Sequence, residues 1–302
     1  MINGATGELI SLVAVAGWTV SALSFEGAGR RVGSIPVNIL RLALAAIIIA
    51  LVNLLRGFTP WPPGVTSTQA LWLMASGFVG FFLGDLLLFR SFLSIGARLA
   101  MLVMSLSPPI SALLDGLVFG QGLNAGDGLG MSLAVLGVAL AATARTKNAA
   151  GPPTATKSRR WLGFLLAFGG ALGQSGGMIL GKLGMGTHDP LAATFLRTLG
   201  GMAGFIPLVL LTGATGRVIK ALGDGKAMSR LSLGTIAGPV IGVSAVLLAL
   251  RYSPAGVVSS ITAVVPVVII LPSMVFMKDK PQPREILGAI VAVSGVAVLF
   301  LT

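Results

Sequence analysis

Ten runs of mostly apolar residues follow one another along the chain, at roughly 8–27, 35–55, 69–89, 94–118, 126–145, 160–181, 190–212, 231–250, 254–276 and 284–301. A helix crosses the hydrocarbon core of a bilayer with about 20 apolar residues. Backbone in lipid must also satisfy its hydrogen bonds internally, so each run reads as a membrane helix. The runs leave only short connections and no room for a soluble domain. The two longest polar stretches are 146–159 and 213–230, and the first divides the chain near its midpoint. No basic region precedes the first run, which is therefore expected to be a true span and not a cleaved signal.

An internal repeat organises these runs. A shift of 156 lays Gly7 on Gly163, Gly17 on Gly173 and Leu40-Arg41 on Leu196-Arg197. A shift of 158 lays Gly80 on Gly238, Gly84 on Gly242, Pro108 on Pro266, Gly130 on Gly288 and Gly137-Val138-Ala139 on Gly295-Val296-Ala297. The chain thus reads as residues 1–145, a linker at 146–159, and residues 160–302, each half with five helices. Five is odd, so the second half enters the membrane from the opposite side. Such inverted repeats are typical of transporters whose substrate site lies where the halves meet. The expected fold is all-α and polytopic, with ten helices around a central cavity.

Composition agrees and narrows the chemistry. Of 302 residues, 55% are apolar and only 10% charged, against about 25% charged in soluble domains. Mean hydropathy is +0.95. The absence of cysteine excludes disulfides, thiolate metal sites and a cysteine nucleophile. The single His188 leaves no histidine zinc site or histidine-based triad. No GxxxxGK[ST] loop is present, so ATP is not expected to drive the protein directly. No cofactor, metal or catalytic residue is expected, and the protein is not expected to be an enzyme. The net charge of +12 comes from Lys and Arg between apolar runs, without interleaved aromatics. This suits a membrane surface and not nucleic acid.

The residues Gly17-Trp18-Thr19, Leu40-Arg41-Leu42, Ala97 with Ser107-Pro108, and Gly130 with Gly137-Val138-Ala139, each matched in the second half, resemble the drug/metabolite transporter superfamily and its ten-helix EamA-type members. Within it the pattern is similar to amino-acid exporters of the aromatic class. The resemblance implies export of amino acids or similar small metabolites across a bacterial inner membrane, by a chain able to act as a monomer. It also implies that both termini lie in the cytoplasm. Such exporters often carry Tyr and Trp on cavity faces where this chain offers Met101, Met104, Ser105 and Ser107. Drugs, nucleotide sugars and other metabolites are the alternative substrates for the same architecture, with or without proton coupling.

The residues themselves mark a path. Pro108-Pro109 and Pro266 are expected to kink their helices mid-span and free carbonyls one turn back. Helical spacing puts Met101, Met104, Ser105 and Pro108 on one face, and Ser259, Thr262, Ala263 and Pro266 on the matching one. Trp18 and Gln174 are repeat mates in the first and sixth runs. The expected substrate-binding set is therefore Trp18, Met101, Met104, Ser105, Gln174, Ser259 and Thr262, with helix bends at Pro108 and Pro266. Met supplies adaptable apolar contact, while Ser, Thr and Gln can hydrogen-bond a neutral zwitterion. Asp85, with Arg90 as its expected partner, and Asp115, near an interface, are the carboxylates read within spans, where ionisable groups are functional candidates. Arg41 and Arg197 are expected to cap helix C-termini or to snorkel. Glycines four apart, such as Gly80/Gly84 and Gly238/Gly242, allow close helix packing and smooth sliding faces.

The connections on the side of the termini carry Arg56, Lys182 and Arg251, and the others carry sixteen Lys and Arg. The positive-inside rule then places both termini outside, against the orientation the resemblance implies.

Overall fold

The computed structural model describes residues 2–57, 59, 61, 63–120, 124–143, 157–186, 188–249, 252, 255–278 and 280–301. Every regular element among them is helical. α1 (Ile2–Val32) and α2 (Ser34–Leu55) meet at Gly33, whose φ of +89° turns the chain back. α3 (Ser67–Gly77) starts from a Thr66/Gln69 capping box, passes through a π-helical segment, Phe78–Gly84, and continues as α4 (Asp85–Met104). α5 (Ser107–Phe119) and α6 (Ala125–Ala142) follow. Then come α7 (Lys157–Met185), α8 (Pro190–Leu211), α9 (Thr215–Gly223) and α10 (Gly225–Thr235). A second π-helical segment, Ile236–Gly242, leads into α11 (Val243–Ala249), and α12 (Ala255–Thr262), α13 (Val265–Val268), α14 (Ile270–Phe276) and α15 (Pro283–Leu301) complete the chain.

Six helical stretches among the described residues are long and apolar enough to cross a membrane: Thr6–Val32, Ser34–Leu55, Ser67–Met104, Ala125–Ala142, Ser158–Met185 and Leu191–Leu211. Elsewhere the apolar runs are cut into shorter helices. The runs at 69–89 and 94–118 are divided not by a loop near position 90 but at Gly96, whose φ of +82° breaks α4. The next backbone N–H, that of Ala97, donates to the buried Glu26 carboxylate at 2.7 Å, as a fresh helix start requires. Large apolar side chains such as Leu55, Leu117 and Leu211 are more than 80% exposed, the surface a lipid solvent demands.

The prolines act differently from the expectation. Pro108 and Pro109 sit in the first turn of α5, and Pro266 in the first turn of α13. There the missing N–H has no helical partner to lose. The chain breaks ahead of each proline, at Ser105–Leu106 and at Ala263–Val264, so the bend is a helix restart and not a mid-helix kink. The Met104 and Ser105 carbonyls belong to the end of the preceding helix, where carbonyls lack intrahelical partners in any case.

Small residues weld the helices. A Cβ on Gly173 would lie 2.5 Å from the Gly84 Cα, and one on Gly177 would lie 2.8 Å from the Gly80 Cα, so α7 meets the first π-helical segment backbone to backbone. α1 meets the second one likewise, through Gly17 against Ala237 and Ser21 against Gly238. A shift of 158 carries Phe78–Gly84 onto Ile236–Gly242. α6 and α15 run antiparallel, Gly130 against Gly295 and Gly137 against Gly288.

Ion pairs sort the connections onto two faces. Arg31 pairs with Asp224 at 2.9 Å on one face, where Arg98 also pairs with Glu285. On the other, Arg56 pairs with Asp189 at 3.0 Å and Lys182 with Asp115 at 2.8 Å. Asp115 thus reaches a helix end, as expected.

Candidate functional site

The strongest polar feature lies inside the bundle, where α7 crosses the start of α4. Asp85 follows directly on the first π-helical segment, which aims it at α2 and α7. Its carboxylate pairs with Arg41 and accepts a hydrogen bond from the Gln174 amide at 2.7 Å. Asn38, one turn before Arg41 on α2, accepts from Arg41 Nε at 3.3 Å and donates to the Asp85 carbonyl at 3.4 Å. Arg41 and Asp85 are 8% and 4% exposed. The Arg41 guanidinium lies over the rings of Phe89, 4.9 Å from its centroid, and Phe25, at 5.8 Å.

Two expectations are corrected here. Asp85 pairs with Arg41 and Gln174 and not with Arg90, because its side chain points into the bundle. Arg41 neither caps a C-terminus nor snorkels. It sits in the second turn of α2 and ends on a buried carboxylate. Arg197 on α8 is likewise within its helix, its guanidinium 4.7 Å from the centre of the Phe81 ring. A third carboxylate joins those read from the sequence: Glu26 is 1% exposed and pairs with Arg30 at 2.6 Å.

Around this core the α7 junction is polar throughout. Ser175 Oγ and Ser107 Oγ lie 2.9 Å apart, and Ser175 also donates to the Ser107 carbonyl. Ser76 Oγ donates to the Gly177 carbonyl at 2.5 Å. The equivalent junction of α1 is apolar where this one is polar. The mates of Asp85, Gln174 and Ser107 are Val243, Trp18 and Val265. Thr19, the mate of Ser175, is left with a buried hydroxyl lacking a partner among the described residues.

The remaining sequence-derived residues lie as follows. Trp18 is half-buried against Gly242, its Cδ1 and Nε1 both 2.9 Å from where a Cβ would stand. Met101 and Met104 pack, partly buried, on the main core together with Ala263. Ser105 is buried and donates to the Leu102 carbonyl at 2.6 Å. Thr262 ends α12 and is half-buried, and the side chain of Ser259 lies outside the described residues. Gln174 meets Asp85, whereas Met101, Met104 and Ala263 pack on the main apolar core. An open apolar groove of about 420 Å³, lined by Ile10, Val13, Val240, Ile241, Ala245 and Leu248, runs along the outside between α1 and α11.

A bundle of long apolar helices, welded by small residues and enclosing an ion pair, is a multi-pass membrane protein. The EamA-like transporter family model matches residues 5–143 and again 161–301. The chain belongs to that family, and so is a membrane transporter of the drug/metabolite class; the family is not one of enzymes. No curated protein matches the chain. One solved chain, described only as the crystal structure of a protein, is similar at 18% identity with a TM-score of 0.59, over 98% of this chain and 96% of its own. At that identity the likeness speaks for the fold alone.

Proposed function

We propose that this transporter exports small metabolites, amino acids foremost, across the bacterial inner membrane. It does so by alternating access of two five-helix halves of inverted topology, ten spans in all, and it works as a facilitator. The observation that carries the facilitator reading is the state of Asp85. One of its oxygens is held by Arg41 and the other by Gln174, so this carboxylate is tied into the packing of α2, α4 and α7 and breaking the pair would strand the Arg41 charge. The path runs past Trp18 and Gln174 on the first spans of the two halves. It continues past Met101, Met104 and Ser105 before one helix restart, and Ser259 and Thr262 before the other. The paired restarts, with carbonyls released ahead of Pro108, support a bend that can line an aqueous path.

Proteoliposomes loaded with labelled neutral amino acids test this reading. Downhill flux is expected without an imposed ion gradient. Ser259→Trp is expected to block it while the protein still inserts and purifies normally. Proton coupling is the second reading, favoured by the burial of Asp85 within the membrane. Flux that strictly requires a pH gradient and is abolished by Asp85→Asn would establish that reading instead. Normal flux through both Ser259→Trp and Trp18→Ala would move the path elsewhere.

A further inference from the structure

The repeat matches two interior arginines with one another, but the counter-ion of the first has no acidic mate. Arg41 and Arg197 are mates, but the mate of Asp85 is Val243. In the first half the guanidinium is neutralised by Asp85 and sealed by Phe25 and Phe89. In the second half the position equivalent to Phe25 is Gly181. A Cβ there would lie 3.7 Å from Arg197 Nε and 3.0 Å from Ser76 Oγ, so a serine hydroxyl and no aromatic ring stands on that flank of Arg197. Arg197 Nε is withdrawn from the surface and has no hydrogen-bond partner among the described residues. The carboxylate acting on Arg197 electrostatically is Asp85, already engaged by Arg41 and Gln174. One ring, Phe81, attends its guanidinium. An interior cation in a membrane protein is costly unless paired, and commonly marks the route of a charged ligand.

We propose that Arg197 is the anchor for a carboxylate on the transported molecule. The planar guanidinium takes a carboxylate through two parallel hydrogen bonds. One carboxylate from the substrate gives each of the two repeat-related guanidiniums, Arg41 and Arg197, a carboxylate of its own. A permanent internal anion would satisfy Arg197 as Asp85 satisfies Arg41; with valine as the mate of Asp85, the repeat provides Arg197 with no such anion, and the role falls to a partner that arrives and departs. The substrate class is thereby a small monocarboxylate, whether the zwitterion of an amino acid or the corresponding 2-oxo acid. The inference rests on the transport reading above but commits only to the carboxylate.

The test is calorimetric binding to the purified full chain in detergent. The panel comprises the protein amino acids, their carboxamides, the corresponding amines and the corresponding 2-oxo acids. At least one carboxylate is expected to bind, with its carboxamide and amine more than tenfold weaker. Arg197→Met is expected to abolish that binding and Arg197→Lys to keep part of it. Gly181→Asp, which sets a carboxylate beside Arg197, is expected to abolish it in a protein that remains folded and monodisperse. A carboxamide that binds as tightly as its acid, full affinity in Arg197→Met or in folded Gly181→Asp, or no carboxylate binding across the panel would each overturn the proposal. Binding of 2-oxo acids but of no amino acid, lost in Arg197→Met, would sink the amino-acid reading and uphold the anchor.

Discussion

The Gln174 amide donates to the Asp85 carboxylate at 2.7 Å, joining α7 to the start of α4. Their mates are Trp18, whose indole lies against Gly242, and Val243, whose aliphatic side chain can accept no such hydrogen bond. The two halves thus share a backbone plan and differ in chemistry at one equivalent junction. Among the described residues only the α7 junction holds an ion pair, and what is distinctive about the site follows from that difference.

Removing one partner of a buried pair strands the other's charge, which costs about 3–5 kcal/mol, whereas replacing both by apolar groups is often neutral. Asp85→Asn is therefore expected to lower the thermal midpoint in detergent strongly. Arg41→Met/Asp85→Leu is expected to recover most of the loss. A double variant as unstable as the sum of the singles would show that the pair contributes more than mutual neutralisation.

The glycines separate into two groups by what a methyl group would meet. On Gly173 it would strike the Gly84 backbone, while around Gly216, in α9, nothing lies within 4 Å. Gly173→Ala is expected to cost about 1–3 kcal/mol through overpacking. Gly216→Ala is expected to be neutral, or stabilising by up to about 1 kcal/mol, because alanine favours the helix. Equal midpoints for the two variants would refute the close-packing account of the α7 seam.

Much of this architecture was legible in the sequence. Apolar runs of spanning length marked the long helices, and the repeat offsets marked equivalent positions, including the glycines that form both seams. The matched Arg41 and Arg197 were visible as a pair, but their role was not. Spacing along a helix does not show which way a long side chain leaves it, and the partner of Arg41 lies on another span. The π-helical segments also escaped notice. An i→i+5 turn leaves no mark on apolar periodicity over seven residues, and it is this turn that sets the direction of Asp85. Glu26 stood at the end of a run, where a carboxylate resembles a loop residue. Its burial follows from Gly96, which turns the chain and presents the Ala97 N–H to it.

Two carboxylates outside the spans make stability depend on pH. The hydrogen bond from Arg31, with the Ala227 N–H, holds Asp224 below the usual carboxylate range. Partial burial pushes Asp189 up, but the Arg56 hydrogen bond and the Ala192 and Leu191 N–H groups outweigh it and leave that group depressed as well. A depressed carboxylate contributes stability above its unfolded value, near 3.9, and loses it as pH falls through the lower folded value. Asp224→Asn keeps a helix-capping oxygen and removes the charge. It is expected to melt below the parent protein at pH 7, the gap narrowing from about pH 4 downward. A gap that is constant from pH 7 to pH 3 would rule out the ion pair as its source.

Orientation is the last expectation. The pairs Arg31–Asp224 and Arg98–Glu285 belong to one face, and Arg56–Asp189 and Lys182–Asp115 to the other. Among the described connections the first face also carries Arg159, Arg217, Lys220, Lys226, Lys278 and Lys280. Basic connections are retained in the cytoplasm, and acidic residues weigh little in that choice. The arginine-rich face is therefore expected inside, with both termini outside, opposite to the orientation first suggested by resemblance. The chain has no cysteine, so single cysteines report without background. Lys220 and Ser67 are both exposed, on opposite faces. In intact cells a membrane-impermeant thiol reagent should label Ser67→Cys and spare Lys220→Cys, and permeabilisation should expose the latter. The reverse pattern would mean that family ancestry, and not the distribution of arginine and lysine, sets the direction in which this chain enters the membrane.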